Sequence, residues 1–102
     1  MKQEIFESYA GAICERFNIA SPSQLFVKTK RRDIVDARHL LYYMCRNRPM
    51  RLRYIQQYML DSGYNISHSS IIHGISQVTK LVKEDDDYKK LIEDLQSNVL
   101  QS

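Results

Sequence analysis

The chain has few of the residues that make tight turns. Its 102 residues include three glycines and two prolines. An all-β domain draws heavily on both at its turns, so this composition argues against that class. Cysteine is also scarce. Cys14 and Cys45 stand far apart, within apolar helical patterns, and no CxxC occurs. That usage predicts reduced, buried small hydrophobes in a cytosolic protein, not a disulfide framework or a zinc site. No apolar run approaches the roughly 18 residues of a membrane span. Met1-Lys2-Gln3-Glu4 opens into mixed polar sequence, not the apolar core of a signal peptide. The expected location is therefore cytoplasmic, near the nucleoid if nucleic acid is the partner. No GxxxxGK[ST] phosphate loop is present. The length excludes a complete (β/α)₈ barrel and leaves no room for an ATPase domain.

Hydrophobic residues make up 43% and charged residues 26%, an ordinary globular mixture for one domain. Charge is unevenly spread. Residues 28–53 hold nine basic and two acidic residues, between flanks of net −1 and −3. Such a block is the footprint of a nucleic-acid or anionic-surface binder. Seven of the nine are arginine, the residue suited to bidentate contact with phosphate and guanine. A solvated helical face is the alternative use of the same charge.

Helical spacing runs through the chain. Ile5, Phe6, Tyr9, Ala12, Ile13 and Phe17 predict a first helix over about residues 3–18. Ser21-Pro22-Ser23-Gln24 reads as a capping box with proline at N1, opening a short helix to Phe26 or Val27. Thr29 is placed to cap the next helix, whose stripe is Ile34, Ala37, Leu41, Met44 and Cys45 and which ends near Asn47. A further helix carries Leu52, Ile55, Tyr58 and Met59 inward and stops at Asp61-Ser62-Gly63, with Gly63 in a left-handed position. Ser67 caps the following helix through the amide of Ser69 or Ser70, and Ile71, Ile75, Val78 and Val82 form its inner face. Tyr88, Leu91, Ile92, Leu95 and Val99 describe a last helix. Glu84-Asp85-Asp86-Asp87 lies at its positive dipole end. The expectation is an all-α domain of five to six helices around a helix-turn-helix. Residues 1–27 form a helical extension packed on the core, and residues 28–102 the binding domain.

The helix after Ser67 has a polar outer face. With Ile71 at 0° and about 100° per residue, Ser69, His73, Gln77 and Lys80 lie opposite the apolar stripe, with Ser70 and Ser76 beside them. Short hydrogen-bonding side chains without a carboxylate suit a helix that enters a major groove. Its first turn, Ser67, His68, Ser69 and Ser70, is where such helices meet base edges.

Two motifs carry a family resemblance. Arg31-Arg32-Asp33-Ile34-Val35-Asp36-Ala37-Arg38-His39 resembles the RR-x-I-V-x-A-R-Q opening of the C-terminal DNA-binding domain of the bacterial replication initiator DnaA. His68-Ser69-Ser70-Ile71-Ile72-His73-Gly74 resembles that domain's D-H-T-T-V-I/L-H-A signature. Their order and approximate separation also match, over residues 30–83. The resemblance implies a Trp-repressor-like helix-turn-helix fold and an asymmetric duplex as ligand. It implies that Arg38 enters the minor groove and that His68 and Ser69 contact bases in the major groove, with Ser70 beside them. Ser67, Ser70 and His73 complete the expected base-reading set. Lys28, Lys30, Arg31, Arg32, Arg46, Arg48, Arg51, Arg53, Gln77 and Lys80 are the expected phosphate contacts. The family's Asp before the His is Ser67 here, and its basic pair is replaced by Ser76-Gln77. The turn before His68 is also longer, so the recognised bases are expected to differ.

Two of these residues have a second reading from their position. Arg38 lies at the margin of an apolar stripe, where it either projects along the domain edge or pairs with Asp36 or another acid. His68 projects about 60° from Ile71 and either reaches a base or packs with a hydrogen bond.

Enzyme patterns are missing. His68 and His73 sit about 140° apart around a helix and share no metal-binding face. The serines lack a nucleophile elbow, and Glu84–Asp87 lacks the alternating ligands of a calcium loop. No catalytic residue, metal or cofactor is expected. The partner expected is double-stranded DNA, bound by a monomer, with a homodimer through the first helix as the alternative. A second reading makes the fold a protein-interaction module for a replication or transcription protein, using exposed Tyr42, Tyr43, Tyr54 and Tyr64. A third is non-specific DNA binding.

Overall fold

A computed structural model describes the backbone of residues 2–100 and the side chains of residues 2–99. The expected outer bounds at residues 1 and 102 lie outside the described residues. Five α-helices and one short 3₁₀ helix make up the fold, with no strand among the described residues. They are α1 (Lys2–Arg16), the 3₁₀ helix (Pro22–Phe26), α2 (Arg32–Arg46), α3 (Leu52–Asp61), α4 (His68–Glu84) and α5 (Asp86–Leu100).

α2 is the central element. Ile34, Ala37, Leu40, Leu41, Met44 and Cys45 are each at most 1% exposed. Helix α2 packs against α4 on one side and α1 on the other, and α5 closes the bundle across α1 and α4. Phe6, Tyr9, Ala10, Ile13 and Cys14 bring α1 into the same core. Cys14 and Cys45 are free and buried, and burial pushes both thiols up, away from the thiolate.

Most helix ends follow local chemistry. Gly63 takes φ +101°. There Tyr64 N–H donates to Met59 O and Gly63 N–H to Leu60 O, both at 2.9 Å, the paired bonds of a left-handed helix stop. Ser67 Oγ accepts from the Ser70 amide at 3.2 Å. Asp85 Oδ1 accepts from the amides of Asp87 and Tyr88 at 2.9 and 3.4 Å, which caps α5.

Two expected caps differ. The Ser21 hydroxyl bonds Ser23 Oγ at 2.7 Å and accepts no amide. The Gln24 amide turns to Ser21 O at 3.1 Å instead, so the segment winds as a tight 3₁₀ helix without a capping box. Thr29 stands too early to cap α2. Its Oγ1 accepts from Arg31 N, and Arg31 is the residue before the helix.

Candidate nucleic-acid interface

The first turn of α4 is the most open part of that helix. Ser67, His68, Ser69 and Ser70 are all exposed, and the turn carries no acidic residue. His68 is therefore not packed, and the second reading of that residue falls away. Ile71, Gly74 and Val78 hold the opposite face in the core. Gly74 permits a close approach to α2. A Cβ there would lie 2.8 Å from His39 Cδ2 and 2.9 Å from Tyr42 Cδ2.

The loop before α4 is tied down twice. Gln56 Nε2 donates to Ile66 O at 2.8 Å, and Arg38 Nη1 donates to Tyr64 Oη at 2.7 Å. Arg38 Nη2 also donates to Val27 O and Thr29 O, at 3.1 and 3.3 Å. Its guanidinium lies 4.6 Å from the Tyr64 ring centre. Arg38 is 6% exposed. It neither projects along the domain edge nor pairs with Asp36, which pairs with Arg32. As it stands, the residue expected to reach a minor groove links the Val27–Thr29 segment to Tyr64. A stripe-margin position permits either outcome, and long-range carbonyl acceptors decide it.

That link brings the start of the basic block to α4. A cleft of about 530 Å³ is lined by Lys28, Arg38, Ser67, Ser69, Ser70 and His73, among others. A neighbouring groove between α2 and α4 carries Arg32, Gln77 and Lys80. Lys28, Lys30, Arg31 and Arg32 are exposed, as are Gln77 and Lys80. Arg31 meets Asp33 at 2.8 Å and Arg32 meets Asp36 at 3.5 Å. Such surface pairs contribute little and exchange readily for another anion.

The rest of the block lies elsewhere. Arg46 ends α2, about 20 Å along the helix from Arg32, and Arg48 lies just past it. Arg48 is half-buried, with its Nη1 3.3 Å from Tyr9 Oη. Arg51 is exposed before α3, and Arg53 stacks on Tyr54. The tyrosines expected to be exposed are not. Tyr42 is 1% exposed, and Tyr43, Tyr54 and Tyr64 are half-buried. Helix α2 is apolar on more than one side because three elements cover it.

His73 is exposed, but its ring also meets His39 edge-on, with centres 5.9 Å apart. This pairing across α2 and α4 was not legible in the sequence. Burial pushes the His39 imidazole below the ordinary histidine range, and His73 and Arg38 push the same way while Asp36 opposes. A depressed folded value means the neutral form is favoured in the folded state. Its stabilising contribution is full above the unfolded value and is lost as pH falls through the folded one. Melting curves should therefore show a midpoint that drops below about pH 6.5 and drops less in His39→Gln. Equal pH slopes in the two proteins would show that His39 does not carry the effect.

The chromosomal replication initiator protein DnaA of Campylobacter jejuni subsp. doylei is 28% identical over 89 residues, 86% of this chain. The protein of the same description from Campylobacter jejuni subsp. jejuni is 29% identical over 89 residues. This chain is DnaA-like. It spans about a fifth of the length of these relatives, 19% in each case, and diverges from them in most positions. No family model matches the DnaA-like chain, and no solved structure matches it. No helix among its described residues is long and apolar enough to cross a membrane.

Proposed function

We propose that this DnaA-like domain is a sequence-specific reader of double-stranded DNA, acting in replication or transcription control. The observation that carries this reading is the start of α4. It is a capped, exposed, carboxylate-free first turn, braced by Arg38 and Gln56 and flanked by a basic cleft. A rigid helix end with short polar side chains is what major-groove reading requires. His68, Ser69 and Ser70 are the base readers, with Ser67 and His73 beside them. Lys28, Lys30, Arg31, Arg32, Gln77 and Lys80 grip phosphates near the helix. Arg51 and Arg53 hold the backbone at the start of α3, and Arg46 and Arg48 lie at and just past the far end of α2. Arg38 acts as a positioning residue, because entry into a minor groove would break its bonds to Val27, Thr29 and Tyr64.

Selection from a random duplex library should enrich one asymmetric motif. On that motif Ser69→Ala and His68→Ala should each lose about 1–3 kcal/mol of discrimination, with little change on random DNA. Arg51→Ala should weaken both duplexes alike and lower the salt slope by about one. Equal losses on both duplexes for all three variants would remove the assigned roles. Binding without enrichment would identify a non-specific DNA binder. No salt-sensitive binding at all would leave the protein-interaction reading.

A further inference from the structure

Ile72 is a large apolar side chain where a solvated helix face needs none. It is 52% exposed, and the neighbouring positions His68, Ser69, His73 and Ser76 of α4 are exposed and polar. The core takes Ile71, Gly74 and Val78 from this helix, not Ile72. Isoleucine is also a weaker helix former than alanine or lysine, because its branched side chain crowds the preceding turn. Neither core packing nor helix propensity therefore accounts for it.

Its direction matters. With Ile71 facing the core at 0°, Ile72 projects about 100° round the helix, between His68 at about 60° and Ser69 at about 160°. A helix that presents His68 and Ser69 to the floor of a major groove brings Ile72, one turn further on, to the same floor. Serine and histidine read the nitrogen and oxygen atoms of base edges. The apolar feature of that floor is the C5-methyl group of a pyrimidine. Size favours this partner over a protein. The next exposed large apolar side chain on α4 is Leu81, roughly 13 Å further along the helix. A stable protein interface covers about 800 Å² per partner. One isoleucine among serines and histidines matches one methyl group.

We propose that Ile72 makes a van der Waals contact with the C5-methyl group of a pyrimidine in the major groove. The inference rests on the duplex-reading proposal and adds a specificity-determining residue to it. A β-branched side chain is stiff at χ1, so Ile72 loses little freedom when it meets the base. Two bases share this chemistry, thymine and 5-methylcytosine.

The test uses the duplex enriched by selection, with each thymine replaced in turn by deoxyuridine, which removes only the methyl group. Affinities are read by fluorescence anisotropy of the full chain at one fixed salt concentration. One position should lose about fourfold in the unaltered protein, the burial of one methyl-sized group. The same replacement should cost Ile72→Ala nothing, while Ile72→Leu should keep part of the discrimination. Ile72 lies outside the core, so both variants should stay folded. A parallel series replaces each cytosine by 5-methylcytosine. A gain of similar size that Ile72→Ala lacks, with no thymine position sensitive, assigns the contact to 5-methylcytosine. An Ile72→Ala loss that is equal on every duplex, random DNA included, overturns the proposal. A uracil penalty that persists in Ile72→Ala gives the methyl group to another residue. An enriched motif that tolerates every replacement removes Ile72 from base reading and leaves it for a protein contact, with the duplex-reading proposal intact. If selection enriches no motif, both proposals fall.

Discussion

Ile71→Ala should cost the domain about 2–5 kcal/mol of stability, while Ile72→Ala should stay within about 0.5 kcal/mol. The two residues are adjacent and identical in type. Ile71 is 0% exposed and Ile72 is 52% exposed. Removing Ile71 takes apolar contacts from the seam between α4 and the core and leaves a cavity that α2 and α4 can close only by moving. Removing Ile72 takes a side chain already half in water, and alanine's better helix propensity offsets part of the loss. In a domain of this size each kcal/mol shifts the melting midpoint by roughly 4–8 °C. Thermal melts of the two variants should therefore differ by about 6 °C or more. Similar midpoints would mean that α4 is not seated on this face.

Gly74→Val should be nearly as damaging, for the opposite reason. A Cβ at position 74 already comes within 3.0 Å of the rings of His39 and Tyr42. Tyr42 is buried and cannot swing out, and a branched side chain adds two further carbons to the same gap. Overpacking of this kind costs about 1–3 kcal/mol. Alanine would recover about 1 kcal/mol of helix propensity, and β-branched valine recovers less. The expected result is about 2 kcal/mol of lost stability by urea denaturation, with α4 displaced from α2. The first turn of α4 would move relative to Lys28, so any duplex affinity should fall by more than the stability loss explains. Wild-type stability in this variant would show that α2 and α4 are not held this close.

Much of the architecture was legible because it rests on local rules. Apolar spacing marked α1 to α5. Gly63, Ser67 and the acidic run before α5 marked three helix ends, since their partners lie within a few residues. The 3₁₀ helix was legible in place and length, and only its cap was misread. Ser21 had a competing partner in Ser23, and hydroxyl pairing displaced the expected cap. The exposed face of α4 was also legible, because one helix with a clear apolar stripe needs only its own geometry to show which side remains.

Arg38 and Tyr42 were misplaced for a shared reason. Both lie on α2, the helix covered from several directions. Stripe arithmetic on one helix assumes one neighbour and assigns everything else to solvent. Here α1, α4 and the Val27–Thr29 segment each claim part of the circumference, so a tyrosine expected outside is buried and an arginine expected outside becomes a tie.

By itself the sequence determined the helices, the caps at Ser67 and Gly63, and a strongly basic middle between acidic flanks. Periodicity, capping and charge are properties of residues within a few positions of one another. Only the tertiary structure divided that basic block. It brought Lys28 and Arg32 to α4, carried Arg46 and Arg48 to the far end of α2, and drew Arg38 inward. Those outcomes depend on which carbonyls and rings lie across the fold, and residues 27, 29 and 64 meet residue 38 only once the helices have packed.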